Sequence, residues 1–295
     1  MKFWLTLNFE PPELLLEYAR KAEELGFEGV VLPDHVVVKE RPRTPHPANF
    51  DLRADHLFVD PLIAYTAMAT VTTRLKFLSY VYVVPLRDPF TLAKQASSVA
   101  VMSNNRYILG TGVGWLKEEF ETMGQDFHTR GKRMDEMLTI VRDFWDDGYA
   151  EFNGEFFNFP RSGMFPVPER PIPIWIGGHS IPAARRAAHF DGYMPMRPLL
   201  DPDGALDAQT QAEFALIDQI RAENGLSGPY ERKMYLGFDL TDPGQARKIE
   251  ERNGVGHLQV MRLFQDDVTR FDGTRTFDEK IALMSRFSEK IIQRM

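Results

Sequence analysis

Ile172-Pro-Ile-Trp-Ile-Gly-Gly-His-Ser-Ile-Pro182 takes a short apolar, β-branched run into two glycines, a polar pair and a proline. The run reads as a strand over 172–176. The glycines read as a tight turn, and Ser180 and Pro182 as the start of a helix over 182–190, because Ser caps helix N-termini and Pro is tolerated in the first helical turn. Strand, glycine turn and helix form the repeating half of a parallel α/β fold. The same alternation extends in both directions. Strands are predicted at 3–8, 28–32, 75–83, 106–111, 192–196, 233–239 and 257–263, and helices at 12–25, 61–72, 90–102, 132–146, 206–223, 243–252 and 277–293. The first helix places Leu14, Leu15, Tyr18, Ala22 and Leu25 on one side. The helix at 132–146 aligns Met134, Met137, Leu138, Val141 and Trp145 on one stripe.

Eight strands, each followed by a helix, predict an α/β protein built as a (β/α)8 TIM barrel, one domain over 1–295, with insertions after strands two (34–59) and four (149–171). A doubly wound open sheet shares the alternation. It is disfavoured because Glu10-Pro11-Pro12 stands where a G-x-G-x-x-G turn would follow the first strand, and no break in composition marks a second domain.

The chain has 295 residues, 43% apolar and 26% charged, as expected of a globular protein. Zero cysteines exclude disulfides, thiolate catalysis and Cys-based metal sites. Net charge is 35 − 42 = −7, which argues against nucleic-acid binding. No signal peptide or membrane-spanning run is read, so a cytoplasmic protein acting on a small molecule is expected.

In a barrel, chemistry collects where strands end. Those ends carry Asn8, Asp34-His35, Ser79-Tyr80, Thr111-Gly112-Val113-Gly114-Trp115, Gly177-Gly178-His179-Ser180 and Arg197. Gly177 to Ser180 suit an anion at a helix N-terminus or, equally, a tight turn. The glycines from 110 to 114 lack the lysine of a P-loop; they relieve crowding or admit a flat ring. His35 suits a general base or a structural hydrogen bond. Asp34 is not its partner, since adjacent side chains in extended chain point opposite ways. The histidines show no metal-ligand spacing, no nucleophile elbow is present, and no lysine stands at a strand end. Hard chemistry here requires a bound organic cofactor.

Several segments together resemble the bacterial luciferase-like monooxygenase superfamily, in its branch of F420-dependent oxidoreductases. They are Ala22 to His35, Asp60-Pro-Leu62, Pro85-Leu-Arg-Asp-Pro-Phe-Thr-Leu-Ala-Lys-Gln95, Gly110-Thr-Gly-Val-Gly-Trp-Leu-Lys-Glu-Glu-Phe120, Arg130 to Glu136, Pro171 to Gly178 and Asp191-Gly192. The resemblance implies a TIM barrel that binds reduced F420 or FMN across the strand ends. It implies hydride transfer with F420 or oxygen insertion with FMN on a small organic substrate, and a homodimer or larger homo-oligomer. A non-catalytic flavin-binding barrel is the alternative. Asn8, Ser79, Tyr80, Thr111, Gly112, Gly177, Gly178, His179 and Ser180 are then the cofactor-binding residues, and His35 the catalytic one. The family's non-prolyl cis peptide maps onto Ser79–Tyr80 and its phosphate turn onto 177–180. Arg41, Arg43 and Arg197 are placed to pair with the anionic tail of F420, or serve in the more ordinary role of solvated loop charges. The 36–59 loop, with His46, Phe50, Arg53 and His56, and the 149–171 excursion are expected to shape the substrate pocket. Two departures stand out. Val113 replaces the glutamate of F420-dependent sugar-phosphate dehydrogenases, which argues against that reaction. Asn105 replaces a glycine and is expected to be left-handed.

Overall fold

The computed structural model describes residues 1–47, 50–196, 204–236, 239–260 and 275–295. In chain order the elements begin with β1 (Lys2–Thr6), α1 (Leu15–Glu24), β2 (Gly29–Leu32), α2 (Pro61–Ala69), β3 (Lys76–Ser79), β4 (Tyr82–Val83), α3 (Pro89–Met102), β5 (Tyr107–Gly112), α4 (Lys117–Thr122) and α5 (Arg130–Asp147). They continue with β6 (Tyr149–Asn153), β7 (Asn158–Gly163), β8 (Ile174–Gly178), α6 (Ile181–Ala187), β9 (Gly192–Pro195), α7 (Ala208–Glu223), β10 (Glu231–Leu236), α8 (Pro243–Asn253), β11 (His257–Val260) and α9 (Phe277–Lys290). The parallel order β3-β2-β1-β11-β10-β9-β8-β5 is closed by pairing of β5 with β3. This is an eight-staved (β/α)8 barrel, with β4 continuing the third stave along β5.

Helix starts follow local chemistry. Asp60 accepts hydrogen bonds from the N–H groups of Leu62 and Ile63, Asp88 from Thr91 and Asp242 from Gly244, each just before a proline that opens the helix. Asn105 is left-handed as expected, and so is Asn104, both at φ 56°. The stripe from Met134 to Trp145 is buried.

Two expectations at the third stave need correction, and two further elements lie where the sequence pattern predicts none. The run predicted as one strand over 75–83 breaks after Ser79 and resumes at Tyr82, and the cis peptide is Tyr80–Val81 rather than Ser79–Tyr80. The 149–171 excursion contains the antiparallel hairpin β6–β7. Phe159 of this hairpin packs on Phe90 and Phe144 of α3 and α5 (4.9 and 6.0 Å between ring centroids), so the hairpin seals helices. A short helix, α4, lies where the sequence pattern predicts none. Residues 261–263 of the eighth strand and 237–238 of the seventh lie outside the described residues. Among the described residues no helix is long and apolar enough to cross a membrane.

The barrel interior is plugged at one end by Trp4, Val31, Leu78, Ile108, Trp175 and Met194. The Trp4 indole N–H donates to His257 Nδ1 at 2.9 Å, joining the first and last staves. Beside this plug lies a polar thread: the Lys233 amine donates to Gln259 Oε1, and the Gln259 amide donates to Thr6 Oγ1 at 2.8 Å. Lys233 Nζ also lies 3.6 Å from the centroid of the Tyr80 ring. The side chain is fully buried, and desolvation drives its pKa well below the ordinary lysine value.

A lysine that loses its proton on folding makes stability rise with pH between its folded and unfolded values. The unfolded chain still holds the proton across that interval, so the slope is about 1.4 kcal/mol per pH unit. Lys233→Met removes this slope. Urea unfolding of both proteins at pH 7, 8 and 9 should show the stability difference shifting in favour of the natural chain as pH rises; parallel profiles would contradict a deprotonated Lys233.

Candidate active site

The mouth of the barrel holds a cavity of about 340 Å³, within the size range of small-ligand sites. Its floor is set by one side chain. Val81, just after the cis bond, lies over Gly112 of β5 and Gly177 of β8. A Cβ on Gly177 would stand 2.3 Å from Val81 Cγ1, and one on Gly112 would stand 3.0 Å from Val81 Cγ2. Gly110 likewise makes room for the stave just before its break, since a Cβ there would lie 1.9 Å from the Ser79 carbonyl oxygen. These glycines therefore admit the kinked third stave. Gly178 is required for another reason: its φ of 143° is one that L side chains rarely adopt.

A fork of hydrogen bonds anchors the kink. Both Asp34 oxygens accept from the Arg87 guanidinium, at 2.6 and 2.7 Å, and Oδ2 also accepts from the Val83 N–H at 2.8 Å. The carboxylate is buried and committed to this bidentate pair. As expected, it does not orient His35. That task falls to Glu119 of α4, whose Oε2 lies 2.8 Å from His35 Nδ1. Glu119 Oε1 accepts from the N–H groups of Val36 and Val37 at 2.6 and 3.3 Å. With Nδ1 engaged, Nε2 is the ring nitrogen left for a ligand.

The neighbouring Glu118 accepts from the N–H groups of Arg43 and Thr44 and from the Thr44 hydroxyl. Burial works to raise its pKa, but these hydrogen bonds outweigh burial and hold it at about 2. The strand-two loop is thus stitched at two points by consecutive carboxylates.

The turn after β8 is braced from α7. Buried Glu213 faces His179 Nδ1 at 3.0 Å and accepts from the Tyr193 hydroxyl at 2.8 Å and the Gln209 amide at 3.0 Å. Ser180 caps α6 by accepting from the Ala183 N–H at 3.3 Å, and Pro182 has no N–H to offer.

Of the residues expected at the site, Asn8, His35, Tyr80, Gly112, Gly177, Gly178 and His179 line the cavity. Ser79, Thr111 and Ser180 do not. Ser79 is buried with its hydroxyl 3.1 Å from that of Tyr107, and Thr111 donates to the Tyr82 carbonyl at 2.9 Å. No residue of 149–171 lines the cavity, nor do Arg41, Arg43, Arg53 or His56. Arg197 lies outside the described residues. Sequence reasoning missed Glu119, Glu213 and the Asp34–Arg87 fork, as well as Val81, Val83, Met196 and Tyr235 on the wall. Among the described residues no cluster of His, Asp and Glu could hold a metal ion.

The model of the luciferase-like monooxygenase family matches residues 4–238. The chain belongs to that family. An uncharacterized protein of Mycobacterium tuberculosis is 33% identical to it over 281 residues, covering 94% of both chains. The fold is shared with the monooxygenase RslO1 from Streptomyces bottropensis (TM-score 0.76, 19% identity, 100% of this chain and 99% of that one). It is shared too with the coenzyme F420 dependent tetrahydromethanopterin reductase from Methanopyrus kandleri (TM-score 0.73, 12% identity, 99% of both chains).

In this luciferase-like barrel the cavity floor depends on Val81 meeting the two glycines. Gly177→Ala should destabilise the protein by about 1–3 kcal/mol through overpacking. Adding Val81→Ala should restore at least about 0.5 kcal/mol beyond additivity, as expected for residues in contact. A denaturant-unfolding double-mutant cycle measures both, and strict additivity would show that the side chain is not seated there.

Proposed function

We propose that this luciferase-like protein is an oxidoreductase that holds a reduced tricyclic ring, F420 or FMN, over Val81 and acts on a small organic substrate. The observation that carries the reading is the floor itself: an apolar Val81 face set between two glycines, with His35 on the wall. A flat ring fits such a floor because no side chain rises from Gly112 or Gly177. The bound cofactor would supply hydride transfer if F420 or reaction with dioxygen if FMN. His35 favours F420, on the resemblance to members in which the matching histidine faces the deazaflavin; Arg41 and Arg43, off the cavity wall, add nothing to that choice.

The chain's own residues have separate tasks. His35 holds or moves a proton at Nε2, with Glu119 fixing its tautomer. The backbone from Gly177 to Ser180, braced by Glu213, would hold the phosphate; the Ala183 N–H is already taken by Ser180. Val113 in place of an acid supports a substrate other than a sugar phosphate.

Separate fluorescence titrations with F420 and FMN test the cofactor. One should bind with micromolar or tighter affinity, and binding of neither would overturn the reading. His35→Ala should keep that affinity while lowering turnover of the loaded protein about 10²–10⁴-fold, the range for loss of a general acid or base. Binding without turnover in the natural protein would instead leave a non-catalytic flavin carrier.

A further inference from the structure

Six aromatic rings on the cavity wall form a closed circuit. His35 meets Phe58, Phe58 meets Phe9, Phe9 meets Phe50, Phe50 meets His46, His46 meets Trp115, and Trp115 returns to His35. Centroid separations run from 4.7 Å (His46–Trp115) to 5.9 Å (His35–Trp115), the range in which aromatic rings pack favourably. Three chain segments contribute: the end of the first stave, the strand-two loop and the turn after β5. All six residues line the same cavity as Val81.

The charge pattern of this collar is as informative as its shape. Among the described residues no lysine or arginine lines the cavity. The carboxylate on its wall, Asp34, is spent on Arg87, and Glu119 behind His35 is spent on the imidazole and two N–H groups. Burial, assisted by the neighbouring His35, pushes the His46 pKa down to about 4, so this ring is uncharged at neutral pH. Among the described residues, then, an anionic substrate would find no lysine or arginine on the wall to pair with, and a cationic one no uncommitted carboxylate. A flat or cyclic apolar body gains contacts with the rings of this wall.

We propose that the collar is the substrate site, and that it selects an uncharged, ring-bearing compound whose one polar group reaches His35. This rests on the functional reading above for the identity of the site as catalytic, but binding to the collar is measured apart from it.

The probes are 1-indanone, indane-1-carboxylate and 1-aminoindane, which share one bicyclic body and differ in charge. Equilibrium dialysis is run at pH 7 on the protein alone and on protein loaded with whichever of F420 or FMN binds. Quenching of Trp115 fluorescence, isolated by comparison with Trp115→Leu, is followed in parallel. The expected result is that 1-indanone binds at least 30-fold more tightly than either charged analogue, and that Phe50→Ala and Trp115→Leu weaken it at least tenfold with unfolding midpoints near that of the natural chain. His46→Arg adds a gain that misfolding cannot mimic, since it should shift preference toward the carboxylate. Equal binding of the three probes, or tighter binding of either charged one, would overturn the proposal. Failure of both cofactors to bind while 1-indanone is still selected would instead count against the redox reading and leave the collar standing.

Discussion

Everything at the mouth of this barrel depends on where Val81 sits. Closed parallel barrels fill their interiors with interdigitated side chains and leave no room for a ligand within the staves. Here the third stave breaks after Ser79, and Val81 sits against positions on two other staves that carry no side chain. A β-carbon at Gly177 would overlap it outright, so the glycines and the valine are one packing unit spread over almost a hundred residues of sequence. The Asp34–Arg87 fork then fixes Val83, so the stave re-enters the sheet beside β5 in register. A local break in hydrogen bonding becomes a flat, apolar shelf.

Around that shelf the site is organised by buried carboxylates that are all occupied. Asp34, Glu118, Glu119 and Glu213 each accept several donors, and most of these come from loops rather than strands or helices. Removing a charge from water is costly unless its lone pairs are met. Once met, the carboxylate becomes a rigid fastener for chain that has no secondary structure of its own. This is how a loop of more than twenty residues can present His35 in a defined orientation.

The fold was legible because its signals are local. Alternating apolar runs and helical stripes, a serine and proline at one helix start, and an asparagine able to turn left-handed all act within a few residues. The break in the third stave was not legible in the same way. Residues 75–83 look like one strand, and the room for the interruption is made by glycines on other staves; mapping by resemblance placed the cis bond one residue early. Helix α4 left a readable sign, two acidic residues in a first turn, which suits the helix dipole. At the site, His35 and the paired glycines stood out by residue type and position. Glu119 and Glu213 did not, because their histidine partners lie 84 and 34 residues away and no spacing rule links them. Lys233 escaped notice since a lysine in mid-strand ordinarily signals an outward face, whereas here it is threaded into the interior.

Glu118 and Glu119 divide the strand-two loop into two territories. Up to Thr44 the chain is fastened to α4, and from Asp60 onward it is fastened by a helix cap. The stretch between them, described at 45–47 and 50–59, carries His46, Phe50 and Phe58 of the collar. Sequence change between Thr44 and Asp60 can therefore reshape the collar while the contacts of Glu119 with His35, Val36 and Val37 stay in place.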